Sequence, residues 1–209
     1  MSFEITRHIV GLLIKPWRGK CSGLENIPKG GAVLCANHAS YLDHFIIGLN
    51  LLKKERAARF LAKKEHFEGF IQTQWHKYLN AIPLDRKKGG KRALQIAVKA
   101  LKKGDLIMIY PEGTRTTTGK MNKAKTGVVR LALAAHVPIV PMGVSNTFKI
   151  LPKGKKIPRL GLKADLRIGK PINLSPYYGK ENNKKILRKL TTKVMKKIAA
   201  LAKQRYEFN

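Results

Sequence analysis

Short apolar runs alternate with helix-forming segments along most of the chain. The runs GAVLCA at 31–36 and DLIMIY at 105–110 are the most strand-like. Each is almost continuously apolar, as expected for a strand covered on both faces of a sheet. Between them, KRALQIAVKALKK at 91–103 has the spacing of an amphipathic helix and is followed by Gly104 at the expected C-terminal position. This alternation predicts an α/β fold, with a mixed, largely parallel sheet flanked by helices.

The same patterns predict the remaining elements. Helices are predicted at 44–54, 66–79 and 126–136, and strands at 58–62, 81–85, 137–144 and 164–168. No internal repeat, low-complexity segment or linker separates these elements, and 209 residues are enough to bury one core. We therefore expect a single domain over 1–209.

Both ends of the chain carry basic amphipathic segments. A helix is predicted over 182–205, with an apolar stripe formed by Leu187, Leu190, Val194, Ile198 and Leu201. Its cations either form the solvated face of a docked helix or lie toward anionic lipid headgroups. The segment 1–20 either packs on the domain as a helix or makes a short membrane contact through Phe3, Ile9, Leu12, Leu13 and Trp17.

The net charge restricts the partners. The chain has 43 Lys and Arg against 12 Asp and Glu, a formal charge of +31. Such a charge attracts polyanions, so nucleic acid, an anionic bilayer and an acidic carrier protein all fit. No nucleic-acid-binding motif or aromatic–basic interleaving is present, but a basic, non-enzymatic nucleic-acid-binding protein remains the alternative from another class.

A histidine and an aspartate follow the first predicted strand, in LCANHASYLDHF at 34–45. His38 would act as a base if the carboxylate of Asp43 fixed its tautomer and stabilised the imidazolium. The alternative is a helix cap, with Ser40 at the N-cap and Asp43 in the first turn. The two interpretations are compatible. No metal site is predicted, because His38 and His44 lack the spacing of zinc ligands. We interpret His8, His66, His76 and His136 as surface or packing residues.

A second constellation follows the predicted strand at 105–110. The sequence PEGTR at 111–115 places Gly113 in a tight loop where backbone N–H groups would approach a ligand, and Arg115 offers a planar fork for phosphate. The alternative is an ordinary turn with a solvated arginine. A third piece, Leu84-Asp85-Arg86, ends another predicted strand with a second guanidinium.

Together these pieces resemble the glycerolipid acyltransferase family, in particular the PlsC-like 1-acyl-sn-glycerol-3-phosphate acyltransferases. The family's first block, N-H-x-S-x-x-D, is matched by Asn37, His38, Ser40 and Asp43. Its third block, close to F-P-E-G-T-R-S, is matched from Pro111 to Arg115, with Tyr110 and Thr116 as departures. The second block keeps Asp85-Arg86 but has Asn80 where glycine is common, and the fourth resembles 137–141. The match covers roughly 31–144.

The resemblance implies a reaction and a role for each residue. A fatty acyl group would pass from acyl-CoA or acyl carrier protein to the free hydroxyl of lysophosphatidic acid, giving phosphatidic acid without a cofactor. His38 would be the base and Asp43 its orienting partner, while backbone N–H groups around Gly113 would hold the oxyanion. The remaining residues implied to bind the phosphate or glycerol of the acceptor are Arg86, Glu112, Thr114, Arg115 and Lys125, although a solvated Lys125 remains open. Another lysophospholipid or an aminolipid is the alternative acceptor.

Charge and hydropathy predict where in the cell the protein lies. No stretch reaches the roughly 18 apolar residues that a membrane-spanning helix needs, and the first apolar run does not resemble a secretory signal. Two cysteines, Cys21 and Cys35, are expected as free thiols in a reducing compartment. We therefore expect a cytoplasmic protein that binds the anionic inner face of the cell membrane peripherally.

Overall fold

The computed structural model describes residues 3–54, 56–63, 81–84 and 91–209. The helices are α1 (Phe3–Ile14), α2 (Leu42–Leu51), α3 (Lys91–Lys102), α4 (Gly127–Ala135), α5 (Thr147–Ile150) and α6 (Lys184–Ala202). The strands are β1 (Arg18–Ser22), β2 (Ala32–Ala36), β3 (Ala58–Lys63), β4 (Ile82–Leu84), β5 (Leu106–Ile109), β6 (Ile139–Val144) and β7 (Ala164–Ile168). The predicted helix at 66–79, together with Asn80, Asp85 and Arg86, lies outside the described residues.

The described strands form one seven-stranded sheet in the order β1-β7-β6-β2-β5-β3-β4. Neighbouring strands are parallel, except that β6 and β7 are antiparallel. The predicted α/β fold with a mixed, largely parallel sheet is therefore confirmed. Because β2, β5 and β6 run in the same direction, their carboxyl ends meet at one edge of the sheet, where such folds present reactive groups.

Alternate side chains of β2 belong to two separate cores. Val33 and Cys35 lie in a cluster with residues of α3, α4 and α6, whereas Ala32, Leu34 and Ala36 lie in a cluster with residues of α1 and α2. Successive side chains of a strand point to opposite faces, so a strand covered on both faces must be apolar throughout. This explains why 31–36 has no polar residue, and it makes β2 a rigid support for the loop that follows.

The C-terminal helix packs on the sheet through the predicted stripe. Leu187, Leu190, Val194 and Ile198 are buried, while most of the surrounding lysines are exposed. α6 also passes very close to β6, because a Cβ at Gly143 would lie 2.2 Å from the backbone N of Ala202. The helix is therefore docked on the sheet; it begins at Lys184 and ends at Ala202 rather than spanning 182–205, and its exposed lysines fit either interpretation of its basic face.

The N-terminal segment contains a helix and a strand. α1 packs through Val10 and Ile14 against the cluster that includes α2, while Ile9, Leu12 and Leu13 point outward. β1 was not predicted, because RGKCS lacks both a continuous apolar run and β-branched residues. Among the described helices, none is long and apolar enough to cross a bilayer.

Candidate functional site

The loop that follows β2 is fixed to the neighbouring strand by Asn37. Its amide Nδ2 donates to the carbonyl of Val144 at 2.9 Å, and its Oδ1 accepts from the N–H of Val144 at 2.8 Å. The side chain of Asn37 is buried, so these two bonds replace a strand pairing that ends at this point. His38 is thereby held at the carboxyl edge of the sheet.

The carboxylate of Asp43 lies against the ring of His38. Oδ2 is 2.9 Å from Nδ1 of His38, and it also accepts from the backbone N–H of Ala39 at 2.8 Å and of Ser40 at 2.9 Å. Asp43 is fully buried in the first turn of α2. With Nδ1–H donating to this carboxylate, Nε2 is the basic ring nitrogen, the arrangement that general-base catalysis requires.

Asp43 makes the contacts that both interpretations require, but the predicted cap was misplaced by one residue. The N-cap of α2 is Tyr41 rather than Ser40. The hydroxyl of Ser40 accepts from the N–H of Leu42 at 3.2 Å, and Asp43 receives the two backbone N–H groups before the helix. One carboxylate therefore both stabilises the helix start and orients His38.

Aromatic side chains pack beside the histidine ring. The ring of Tyr110 stacks on His38 with centroids 3.9 Å apart, and its hydroxyl is 3.2 Å from Nδ1 of His44. Burial raises the pKa of Tyr110 well above its usual value, and the charge of Asp43 raises it further. The phenol therefore stays protonated at neutral pH, and its ring acts as an apolar wall that restricts rotation of the imidazole.

The carboxyl group of Glu112 joins the two sequence motifs. Oε1 accepts from the backbone N–H of His38 at 2.8 Å, and Oε2 accepts from the N–H of Asn122 at 2.6 Å. The N–H of Thr116 donates to the carbonyl of His38 at 3.0 Å. Burial raises the pKa of Glu112 to about 7, and the charge of Asp43 adds to this; the two N–H groups oppose it. Glu112 thus fixes the loop geometry, with one backbone N–H group bound to each of its carboxyl oxygens.

The PEGTR loop turns at Gly113, which has a φ of +74°. Its N–H donates to the carbonyl of Tyr110 at 2.9 Å, so this N–H is not available for an oxyanion. Within the part of the chain that the structure describes, the N–H groups of Thr114 and Arg115 have no acceptor. They are the loop donors left for a ligand. A Cβ at Gly113 would lie 3.8 Å from Nζ of Lys125, so this ammonium lies beside the turn.

The guanidinium of Arg115 is held by an aromatic ring from the first motif. It lies 3.6 Å from the ring centroid of Tyr41, a side chain that is 52% exposed. Arg115 and Lys125 therefore place two cations at the PEGTR loop, in which Thr114 is exposed. Arg86, the other predicted phosphate ligand, lies outside the described residues.

The structure brings most of the predicted site residues together. Hydrogen bonds join His38 to Asp43 and to Glu112, and the PEGTR loop that follows carries Gly113 and Arg115 with Lys125 beside it. The sequence analysis assigned no role to Tyr41, Tyr110 and Asn122. The only signal for them was their position inside or next to the two motifs, since ring stacking and loop closure are not encoded by spacing. Nowhere among the described residues do three or more His, Cys, Asp or Glu gather as metal ligands would.

A family model described as Acyltransferase matches residues 18–145, which contain both motifs. The chain is 29% identical over 157 residues to a 1-acyl-sn-glycerol-3-phosphate acyltransferase of Bacillus subtilis, covering 73% of each protein. It is 31% identical over 138 residues to a chloroplast protein of the same description from Arabidopsis thaliana. That match covers 64% of this chain and 38% of the plant protein.

A solved structure has a similar fold. It is the crystal structure of a 1-acyl-sn-glycerophosphate acyltransferase, PlsC, from Thermotoga maritima. The TM-score is 0.71 with 26% sequence identity, and the match covers 99% of this chain and 85% of the other. The likeness therefore extends beyond the motifs to nearly the whole chain.

Proposed function

We propose that this chain, which belongs to the acyltransferase family, transfers a fatty acyl group from a thioester to the free hydroxyl of lysophosphatidic acid. The donor would be acyl-CoA or acyl carrier protein, and the product phosphatidic acid. The observation that carries the proposal is the His38–Asp43 pair, joined through Glu112 to the loop that holds Arg115. The names of the Bacillus and Thermotoga relatives support this choice of acceptor.

In this reaction His38 acts first as a base. Nε2 takes the proton of the acceptor hydroxyl while the hydroxyl oxygen attacks the thioester carbonyl, and Asp43 stabilises the imidazolium that forms. When the tetrahedral intermediate collapses, the C–S bond breaks and the thiolate takes the proton from His38. Positioned base catalysis of this kind is worth about 10²–10⁴-fold in rate.

The loop would supply the charges that binding requires. Of the N–H groups around Gly113, those of Thr114 and Arg115 would donate to the oxyanion. The guanidinium of Arg115 and the ammonium of Lys125 would bind the phosphate of the acceptor, with Arg86 as a further ligand proposed from the sequence. Thr114 would contact glycerol oxygens, and Glu112 would act only through the backbone that it fixes.

We further propose that the protein works at the anionic inner face of the cell membrane as a peripheral protein. Its charge of +31 attracts phospholipid headgroups and concentrates anionic substrates near the site. The attraction weakens with ionic strength because exposed charges are screened over about 8 Å at physiological salt.

The direct test is release of free thiol from acyl-CoA or acyl carrier protein, measured over a panel of lysophospholipids and one aminolipid. We expect release with lysophosphatidic acid, and its loss in the His38→Ala variant with nucleic-acid binding unchanged. Release without any preference for a phosphate would contradict the role of Arg115. No release with any pair of substrates would exclude the reaction.

A further inference from the structure

Large apolar side chains are exposed at two places that are far apart in sequence. The loop between α5 and β7 exposes Ile157 by 84% and Leu160 by 74%. On α1, Leu12 is 70% and Leu13 65% exposed. These four side chains are called the apolar patch below. Soluble proteins rarely expose several large aliphatic side chains in one region, and such regions commonly mark protein or membrane contacts.

A hydrogen bond links the segment that follows α1 to the loop that carries Ile157 and Leu160. Nε1 of Trp17, which follows α1, donates to the carbonyl of Arg159 at 2.8 Å. The N–H of Arg159 in turn donates to the carbonyl of Ile150 at the end of α5. The indole of Trp17 therefore holds the segment after α1 against the middle of the loop, between Ile157 and Leu160.

The loop part of the patch and Trp17 lie at the edge of the sheet that carries His38. β1 and β7 run antiparallel to β6, so their first residues, Arg18 and Ala164, lie where β6 ends. The N–H of Ser145, just after β6, donates to the carbonyl of Asp165 at 3.0 Å. Because Asn37 is bonded to Val144, the histidine loop lies at this same edge.

The charge of the loop fits one occupant. Between 149 and 163 the sequence has six cations and no carboxylate. Lys153, Lys155, Lys156, Arg159 and Lys163 are exposed around Ile157 and Leu160. Aliphatic tips within a rim of lysines suit the headgroup region of an anionic bilayer, where the tips enter the acyl boundary and the cations meet phosphates.

We propose that the loop at 151–163 is a second membrane-docking element, which enters an anionic bilayer together with the outer face of α1. It turns the His38 edge toward the lipid surface. The inference rests on the proposed function, because the acceptor and product of that reaction are membrane lipids. It adds a defined contact surface to the general attraction of a basic protein.

The test is sedimentation of the full chain with vesicles of phosphatidylglycerol and phosphatidylcholine. Replacing the two loop tips, Ile157→Ser with Leu160→Ser, should lower the partition coefficient at least about tenfold, since two buried aliphatic contacts are lost. The pair is exposed, so thermal unfolding should not change. Leu12→Ser with Leu13→Ser should weaken binding similarly.

A matched pair of charge variants tests the location. The first double variant, Lys155→Gln with Lys156→Gln, removes two exposed cations from the loop. The second, Lys193→Gln with Lys196→Gln, removes two exposed cations from α6. We expect the loop pair to weaken vesicle binding several-fold more than the α6 pair. Equal effects, or wild-type binding by the Ile157/Leu160 variant, would overturn the proposal.

Parallel thiol-release assays separate this inference from the proposed reaction. If the loop variants lose vesicle binding although the wild type transfers no acyl group, the docking surface stands and the reaction fails. If the wild type transfers acyl groups while the loop variants bind vesicles as tightly as the wild type, the reaction stands and the docking surface fails.

Discussion

The guanidinium of Arg115 lies over the ring of Tyr41, with its central carbon 3.6 Å from the ring centroid. The two residues belong to different sequence motifs and come from loops after different strands, β2 and β5. Tyr41 thus holds the side chain proposed to bind the acceptor phosphate. A cation over an aromatic ring is stabilised by about 0.5–2 kcal/mol.

Removing this ring should weaken acceptor binding. We expect Tyr41→Ala to raise KM for lysophosphatidic acid about 3–30-fold with little change in kcat, because Arg115 loses its fixed position before phosphate binds. Tyr41→Phe keeps the ring and should behave like the wild type. Steady-state kinetics with varied acceptor check this, and a Phe variant as impaired as the Ala variant would assign the effect to the hydroxyl.

Asp43→Asn should reduce turnover while the fold survives. The amide oxygen can still accept the N–H groups now bound by Oδ2, and Oδ1 of Asp43 has no partner in the described part of the chain that an NH₂ group would disrupt. The neutral amide, however, does not stabilise the imidazolium of His38. We expect kcat to fall about 10²–10⁴-fold with a nearly unchanged unfolding temperature. Near-normal kcat would leave Asp43 only its capping role.

Titration of Glu112 should appear in the pH dependence of stability. Its pKa rises from 4.5 to about 7 on folding, so the folded state holds the proton more tightly. The protonated group stabilises the fold fully below pH 4.5, and this contribution, about 3 kcal/mol, is lost as the pH rises through 7. Glu112→Gln does not titrate in this range. Denaturant unfolding of both proteins from about pH 4.5 to about pH 8 should show the fall only in the wild type.

The two hydrogen bonds between Asn37 and Val144 of β6, called the clamp below, should contribute to the stability of the fold. Asn37→Ala leaves the N–H and carbonyl of Val144 without their partners in a buried position, so we expect a loss of about 2–4 kcal/mol in the free energy of unfolding. Asn50 is a matched control, because it is also buried and, among the described residues, its side chain makes a single bond, to the carbonyl of Ile46 in its own helix. Asn50→Ala should cost about 1 kcal/mol. Equal losses would mean that the clamp adds nothing beyond side-chain burial.

The sequence by itself determined the local structure and the residue types of the candidate site. Continuous apolar runs at 31–36 and 105–110 predicted buried strands because a strand covered on both faces allows no polar side chain. The stripe from Leu187 to Ile198 predicted the docked C-terminal helix for the same reason, at a helical period. Both features are repeated within a few residues, so they can be seen without knowledge of the fold.

Tertiary structure alone decided how these pieces meet. The bond between Glu112 and the backbone of His38 joins residues 74 positions apart, and the choice of Tyr41 as the support for Arg115 depends on the order of β2 and β5 in the sheet. It also decided that the N–H of Gly113 is bound within its own turn, and that Trp17 contacts the loop that carries Leu160. Strand order and loop closure depend on long-range packing, which residue spacing does not record.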